Sequence, residues 1–83
     1  MNDYRPIPCE VYDRYERAIM HRDRLRVRWR DAAGLTHLET LVPEDLQTRA
    51  GEEFLIGRTL AGDARRLRLD LIVVAEDLVP LSD

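Results

Sequence analysis

The sequence has no lysine, one cysteine, one serine and two histidines in 83 residues. Each shortage closes off a class of function. A lone cysteine, Cys9, cannot form an internal disulfide, so a reducing compartment is the simpler expectation. Cys9, His21 and His37 are the only soft metal ligands, and no CxxC or HxxxH spacing joins them. Neither a metal site nor a cofactor is expected. A cysteine nucleophile needs a base nearby, and Cys9 is followed instead by the acids Glu10 and Asp13. Two carboxylates working as acid and base must face each other across a cleft, and acids on the outside of a helix do not. The chain therefore reads as a non-enzyme with no small-molecule substrate. Its longest near-continuous apolar stretch, Leu71 to Ala75, is far below the roughly 20 residues that cross a bilayer. The first residues also lack the basic start and apolar run of an export signal. A cytoplasmic protein that does not engage membranes is expected.

The thirteen basic residues are all arginines, which points to genome composition more than to mechanism. Net charge is −3, a mild acidity that disfavours indiscriminate nucleic-acid binding. The charge is uneven along the chain. Five arginines against two aspartates give residues 18–31 a net +3, and one arginine against five acids gives residues 32–57 a net −4.

Eighty-three residues make one domain, 1–83, with a small core. Pro6 and Pro8 keep the first residues from being helical, with Tyr4 and Ile7 as apolar anchors. A helix is predicted over about 10–21. Val11, Tyr12, Tyr15, Ala18 and Ile19 share one side at a 3.6 period, with Glu10, Asp13, Glu16 and Arg17 opposite. Tyr12, Tyr15 and Ile19 are expected to hold the helix to the strands.

Clean alternation then marks a half-buried strand over about 24–31. Leu25, Val27 and Trp29 point one way, and Arg24, Arg26, Arg28 and Arg30 the other. Further strands are predicted at about 35–42, 53–60, 64–70 and 71–76. Between the second and third, Pro43 to Leu46 reads as one helical turn and Gln47 to Gly51 as a loop. A flat sheet of five strands leaves two edges and an apolar face open. The expected fold is thus mainly β with one N-terminal helix. A small curved antiparallel sheet closes as an Sm-like (SH3-like) barrel, with the helix over one end.

Two surfaces are candidate sites. Glu10, Asp13 and Glu16 on the helix, with Arg17 beside them, suit a basic patch on a partner protein, or they simply keep the helix solvated. Arg24, Arg26, Arg28 and Arg30 suit a phosphate backbone, although Trp29 on the opposite face gives them no stacking platform. Otherwise they are a wet strand face paired with Glu39, Glu52, Glu53 or Asp70 across strands.

The segment Tyr4-Arg5-Pro6-Ile7-Pro8-Cys9 followed by Tyr12-Asp13 and Glu16 resembles the Rho-binding antiterminator family, also called Rof. A second match is Leu67-Arg68-Leu69-Asp70-x-Ile72, and a weaker third is Asp45-Leu46. The likeness covers nearly the whole chain. It implies an Sm-like barrel that binds the transcription termination factor Rho at its N-terminal RNA-binding region. Such a protein inhibits Rho-dependent termination by blocking RNA loading, competing with RNA rather than binding it. Carried over residue by residue, Asp13 and Glu16 match the motif acids, and Glu10 holds an acidic position ahead of Tyr12-Asp13. Gln47 and Arg49 fall where the family has a binding loop, with poorly matching residues. The alternative is a small RNA-binding barrel acting through the arginine row.

Overall fold

The computed structural model describes residues 5–78, with backbone alone from 74 onward. Tyr4 and the end of the tail, residues 79–83, lie outside the described residues. Helix α1 spans Cys9–His21, and strands follow at Arg24–Arg30 (β1), Thr36–Arg49 (β2), Glu52–Thr59 (β3), Ala64–Arg68 (β4) and Ile72–Leu78 (β5). A 3-10 turn, Leu69–Leu71, joins β4 to β5.

Helix α1 begins where Pro8 ends the extended segment. The Pro8 carbonyl accepts from the Val11 and Tyr12 amides, the first bonds of the helix. It stops at Arg22, whose left-handed backbone (φ 56°) turns the chain so that the Arg22 amide donates to the Ile19 carbonyl and the Asp23 amide to the Ala18 carbonyl.

The sheet is open. Its order is β4-β3-β2-β1-β5, so β4 and β5 are its two edges and do not pair with each other. The closed Sm-like barrel expected from the sequence is corrected to a mixed α+β fold, one N-terminal helix on a five-stranded antiparallel sheet. Closure was expected because it would hide the apolar face and the edges. Here α1 covers that face, and the 3-10 turn carries the chain from one edge strand to the other. Tyr15 and Ala18 of α1 join Leu25, Val27, Leu41, Leu55, Leu67 and Leu69 in one buried core. Ile7, Val11, Tyr12, Ile19, Trp29, Leu46 and Ile72 pack around it.

Strand β2 is far longer than the predicted 35–42. Residues 36–41 pair with β1, and residues 41–49 pair with β3. Pro43 lies just past the last pair with β1, where no neighbour on that side requires its missing N–H. A bulge follows it, between Pro43 and Asp45. The expected helical turn is therefore continuous strand. Opposite Pro43 stands Gly57, where an added Cβ would sit 2.8 Å from the Val42 carbonyl oxygen. The backbones approach too closely there for any side chain. The expected loop at 47–51 is also mostly strand. Arg49 pairs with Glu52, which leaves Ala50 and Gly51 as a two-residue hairpin turn with φ of 52° and 78°. Positive φ at both positions is what a type I′ turn requires.

The Leu67-to-Ile72 motif is structural. Leu67 and Leu69 are buried. Asp70, between them and Ile72, accepts Nε of Arg68 at 2.6 Å and a second guanidinium nitrogen at 3.0 Å. It also accepts the Arg5 amide at 3.2 Å, fastening the N-terminal segment beside the 3-10 turn.

Candidate functional site

Helix α1 lays its apolar side on the sheet, which turns its acids outward. Glu10, Asp13 and Glu16 are all exposed, and with Arg14, Arg17 and Met20 they line one shallow surface along the helix. The acidic surface does not end at the helix. Tyr12, half-buried at its margin, has its hydroxyl held above the ordinary range, first by burial and then by the nearby charges of Glu53, Glu16 and Asp45. Cys9, Tyr12, Asp13 and Glu53 line a small depression together with Ile7. Glu53 and Asp45 thus extend the acidic ground from α1 onto the β2–β3 hairpin. Sequence reasoning missed both. Glu53 alternates with Leu55, which the core claims, so it shares the helix-facing side, but only the pairing register reveals this.

Gln47 and Arg49 are exposed near the tip of the same hairpin. They pair with Phe54 and Glu52 and alternate with Leu46, which packs into the core. They therefore face away from α1, and the fold does not bring them beside Glu10, Asp13 and Glu16.

Arg24, Arg26, Arg28 and Arg30 are all exposed on the sheet face turned from the helix. Of the carboxylates expected to pair with them, Glu39, Glu52 and Asp70 are engaged elsewhere. Glu39 accepts two bonds from Arg65, each at 3.0 Å, and one from Nε1 of Trp29 at 3.1 Å. Glu52 and Asp70 pair with Arg68.

On the other face a small polar network surrounds Trp29. Its ring stacks on His37 with centroids 4.4 Å apart. Nε2 of His37 lies 2.7 Å from Oδ2 of Asp31. That contact, with the Leu35 and Ala33 amides, holds the Asp31 carboxyl below its ordinary 3.8. Glu39 is likewise held below 4.5, chiefly by Arg65. A carboxylate whose pKa is lowered by folding contributes stability above its unfolded pKa and loses it as pH falls through the folded value. The expected result is a melting temperature level from neutral pH to about 5, falling steeply below about 4. Glu39→Gln should melt lower at pH 7 and fall less on acidification. Parallel melting curves for the two proteins would contradict this.

Cys9 is exposed and free. His21 lies 3.9 Å from Asp23, while His37 belongs to the Trp29 network. Among the described residues no group of three or more His, Cys, Asp and Glu is placed to hold a metal ion, and no helix is long and apolar enough to cross a membrane.

No family model matches the chain. Among solved structures it is similar to proteasome accessory factor B/C (PafBC) of Arthrobacter aurescens, with a TM-score of 0.76 and 16% identity. That match covers 92% of this chain and only 12% of the other, and it speaks to the fold alone. Among curated proteins the chain is 38% identical over 73 residues to Protein rof of Escherichia coli (strain K12), and to the same degree to Protein rof of Shigella flexneri. Each match covers 87% of this chain and 81% of the relative. The alignment extends well beyond the two short motifs, and the chain belongs to the Rof family.

Proposed function

We propose that this chain is a non-enzymatic cytoplasmic regulator that binds the transcription termination factor Rho and lowers Rho-dependent termination. The observation that carries this reading is membership of the Rof family at 38% identity over most of both chains. The acidic face of α1 supplies the chemistry. Rho must grip an RNA backbone with basic groups. Glu10, Asp13 and Glu16 offer those groups competing negative charge on a preformed helix. Charge-assisted bonds to arginine or lysine are short and strong, and opposite fields speed the encounter. Glu53, on the helix-facing side of β3, and Asp45, whose charge also reaches Tyr12, add to the negative field. Arg17, within the acidic surface, gives it a local direction by repelling cations at one spot. Gln47 and Arg49, facing away, contact Rho only where the partner wraps around the hairpin tip.

A transcription assay with purified components tests the reading. Adding the protein should raise read-through at a Rho-dependent terminator in proportion to dose and leave a Rho-independent terminator unchanged. Unaltered read-through at both, with folded protein in excess over Rho, would overturn it.

A further inference from the structure

The arginine row ends in a cleft that the sequence does not reveal. Trp29 points into the sheet and Arg30 out of it, yet both line a cleft of about 280 Å³ with Phe54, Arg66, Leu67 and Leu71. The guanidinium of Arg66 lies 4.1 Å from the centre of the Phe54 ring. Two aromatic rings and two exposed arginines therefore meet at one end of the row. The cleft's acid, Asp31, already has its carboxylate engaged by His37 and by the Ala33 and Leu35 amides. Arg68 also lines the cleft but is committed to Asp70 and Glu52.

From Arg30 the row runs back along β1 through Arg28, Arg26 and Arg24, with alternate residues about 6.8 Å apart. Among residues 5–73, whose side chains are described, none of the four has an ion-pair partner. Their register neighbours on β2 are uncharged: Thr40, Leu38 and Thr36. On β5 the one acid in register with them is Glu76, opposite Arg26.

We infer that this surface binds single-stranded RNA, with one unpaired base in the Trp29–Phe54 cleft and the backbone phosphates along Arg30, Arg28, Arg26 and Arg24. An acidic protein would satisfy the arginines but has no use for an aromatic cleft at their end. A duplex would satisfy them too but keeps its bases stacked inside. A cleft near the lower limit of small-molecule sites suits one planar ring with its phosphate on an arginine. The row lies on the sheet face opposite the helix, so it is separate from the acidic surface. The inference does not rest on the Rho reading, and either can fail alone.

The test uses a fluorescein-labelled oligouridylate of about ten nucleotides. Anisotropy should show binding in the roughly 1–100 µM range at about 50 mM salt, weakening steeply by about 200 mM. The single tryptophan should be quenched with the same midpoint. Arg30→Ala with Arg66→Ala should weaken binding at least about tenfold and abolish the quenching. Arg26→Gln with Arg28→Gln should flatten the logarithmic salt slope by about 0.7 for each phosphate no longer neutralised. Absence of binding at low salt would overturn the inference, as would binding that leaves Trp29 fluorescence unchanged. Tighter binding of the matching DNA oligonucleotide would overturn the choice of RNA. Arginine variants that lose affinity for Rho while the parent ignores RNA would assign the row to a protein partner instead.

Discussion

Changing Asp13 and Glu16 together to lysine should leave a folded protein whose proposed affinity for Rho is largely lost. Both side chains are exposed, three residues apart on the outward side of α1, and neither belongs to the core. The change removes two negative charges and installs two positive ones against a surface that must itself be basic to hold RNA. Losing attractive pairs and gaining repulsive ones at two adjoining points should weaken binding at least about 100-fold, or roughly 2.7 kcal/mol. The melting temperature should move little, since surface substitutions away from caps and core rarely exceed about 0.5 kcal/mol. Much of the loss should appear in the association rate and should shrink in high salt, as screened electrostatics require. Single reversals should each give part of the effect. Glu53→Lys should also weaken binding if the acidic ground around Tyr12 takes part.

Truncating Tyr15 to alanine should give a different signature. Tyr15 is 3% exposed and sits at the seam between α1 and the sheet, in one cluster with Leu25, Val27, Leu41, Leu55, Leu67 and Leu69. Its burial holds the hydroxyl above its ordinary range, the mark of a ring enclosed by apolar neighbours. Removing the ring deletes its transfer energy and leaves a cavity that a five-stranded sheet cannot collapse to fill. The expected cost is about 2–4 kcal/mol, large in a domain of this size. That corresponds to a melting temperature lower by roughly 10–25 °C. Rho affinity should fall with it, because the acids lose the platform that aims them. Thermal unfolding and Rho titration on the same two variants separate the cases. Tyr15→Ala lowers both quantities, and the acid reversal lowers one. A Tyr15→Ala protein that melts like its parent would mean that the helix is not clamped by this ring.

The helix and the first strand were legible because their signals are local. A 3.6-residue spacing of Val11, Tyr15, Ala18 and Ile19, and a two-residue spacing of Leu25 and Val27, each state which side is dry. The course of β2 was not legible. Pro43 reads as a break in any local window. It is harmless only because β1 has ended where it stands, a fact about the neighbouring strand. The hairpin turn was hidden because Ala50 holds a positive φ that asparagine or glycine would have advertised. Openness of the sheet was not legible for a related reason. Whether an apolar face is covered by closure or by a helix depends on where the chain returns, and Leu69–Leu71 decides that. The acids of α1 could be placed from the sequence, since the opposite side of an amphipathic helix must face out. Their neighbour Glu53 could not, because strand register brings it there. The meeting of Arg30 and Trp29 in one cleft was hidden because strand alternation puts the two on opposite faces, and only the tertiary fold brings them to a common lining with Phe54 and Arg66.

Rho is proposed to recognise the outward acids of α1. Isothermal titration of purified Rho with the parent protein and with the Asp13→Lys, Glu16→Lys variant, both shown by melting to be equally folded, tests it most directly. Saturable binding is expected for the parent and no measurable heat for the variant. Equal affinities in two equally stable proteins would contradict it and place the Rho-binding surface elsewhere on the fold.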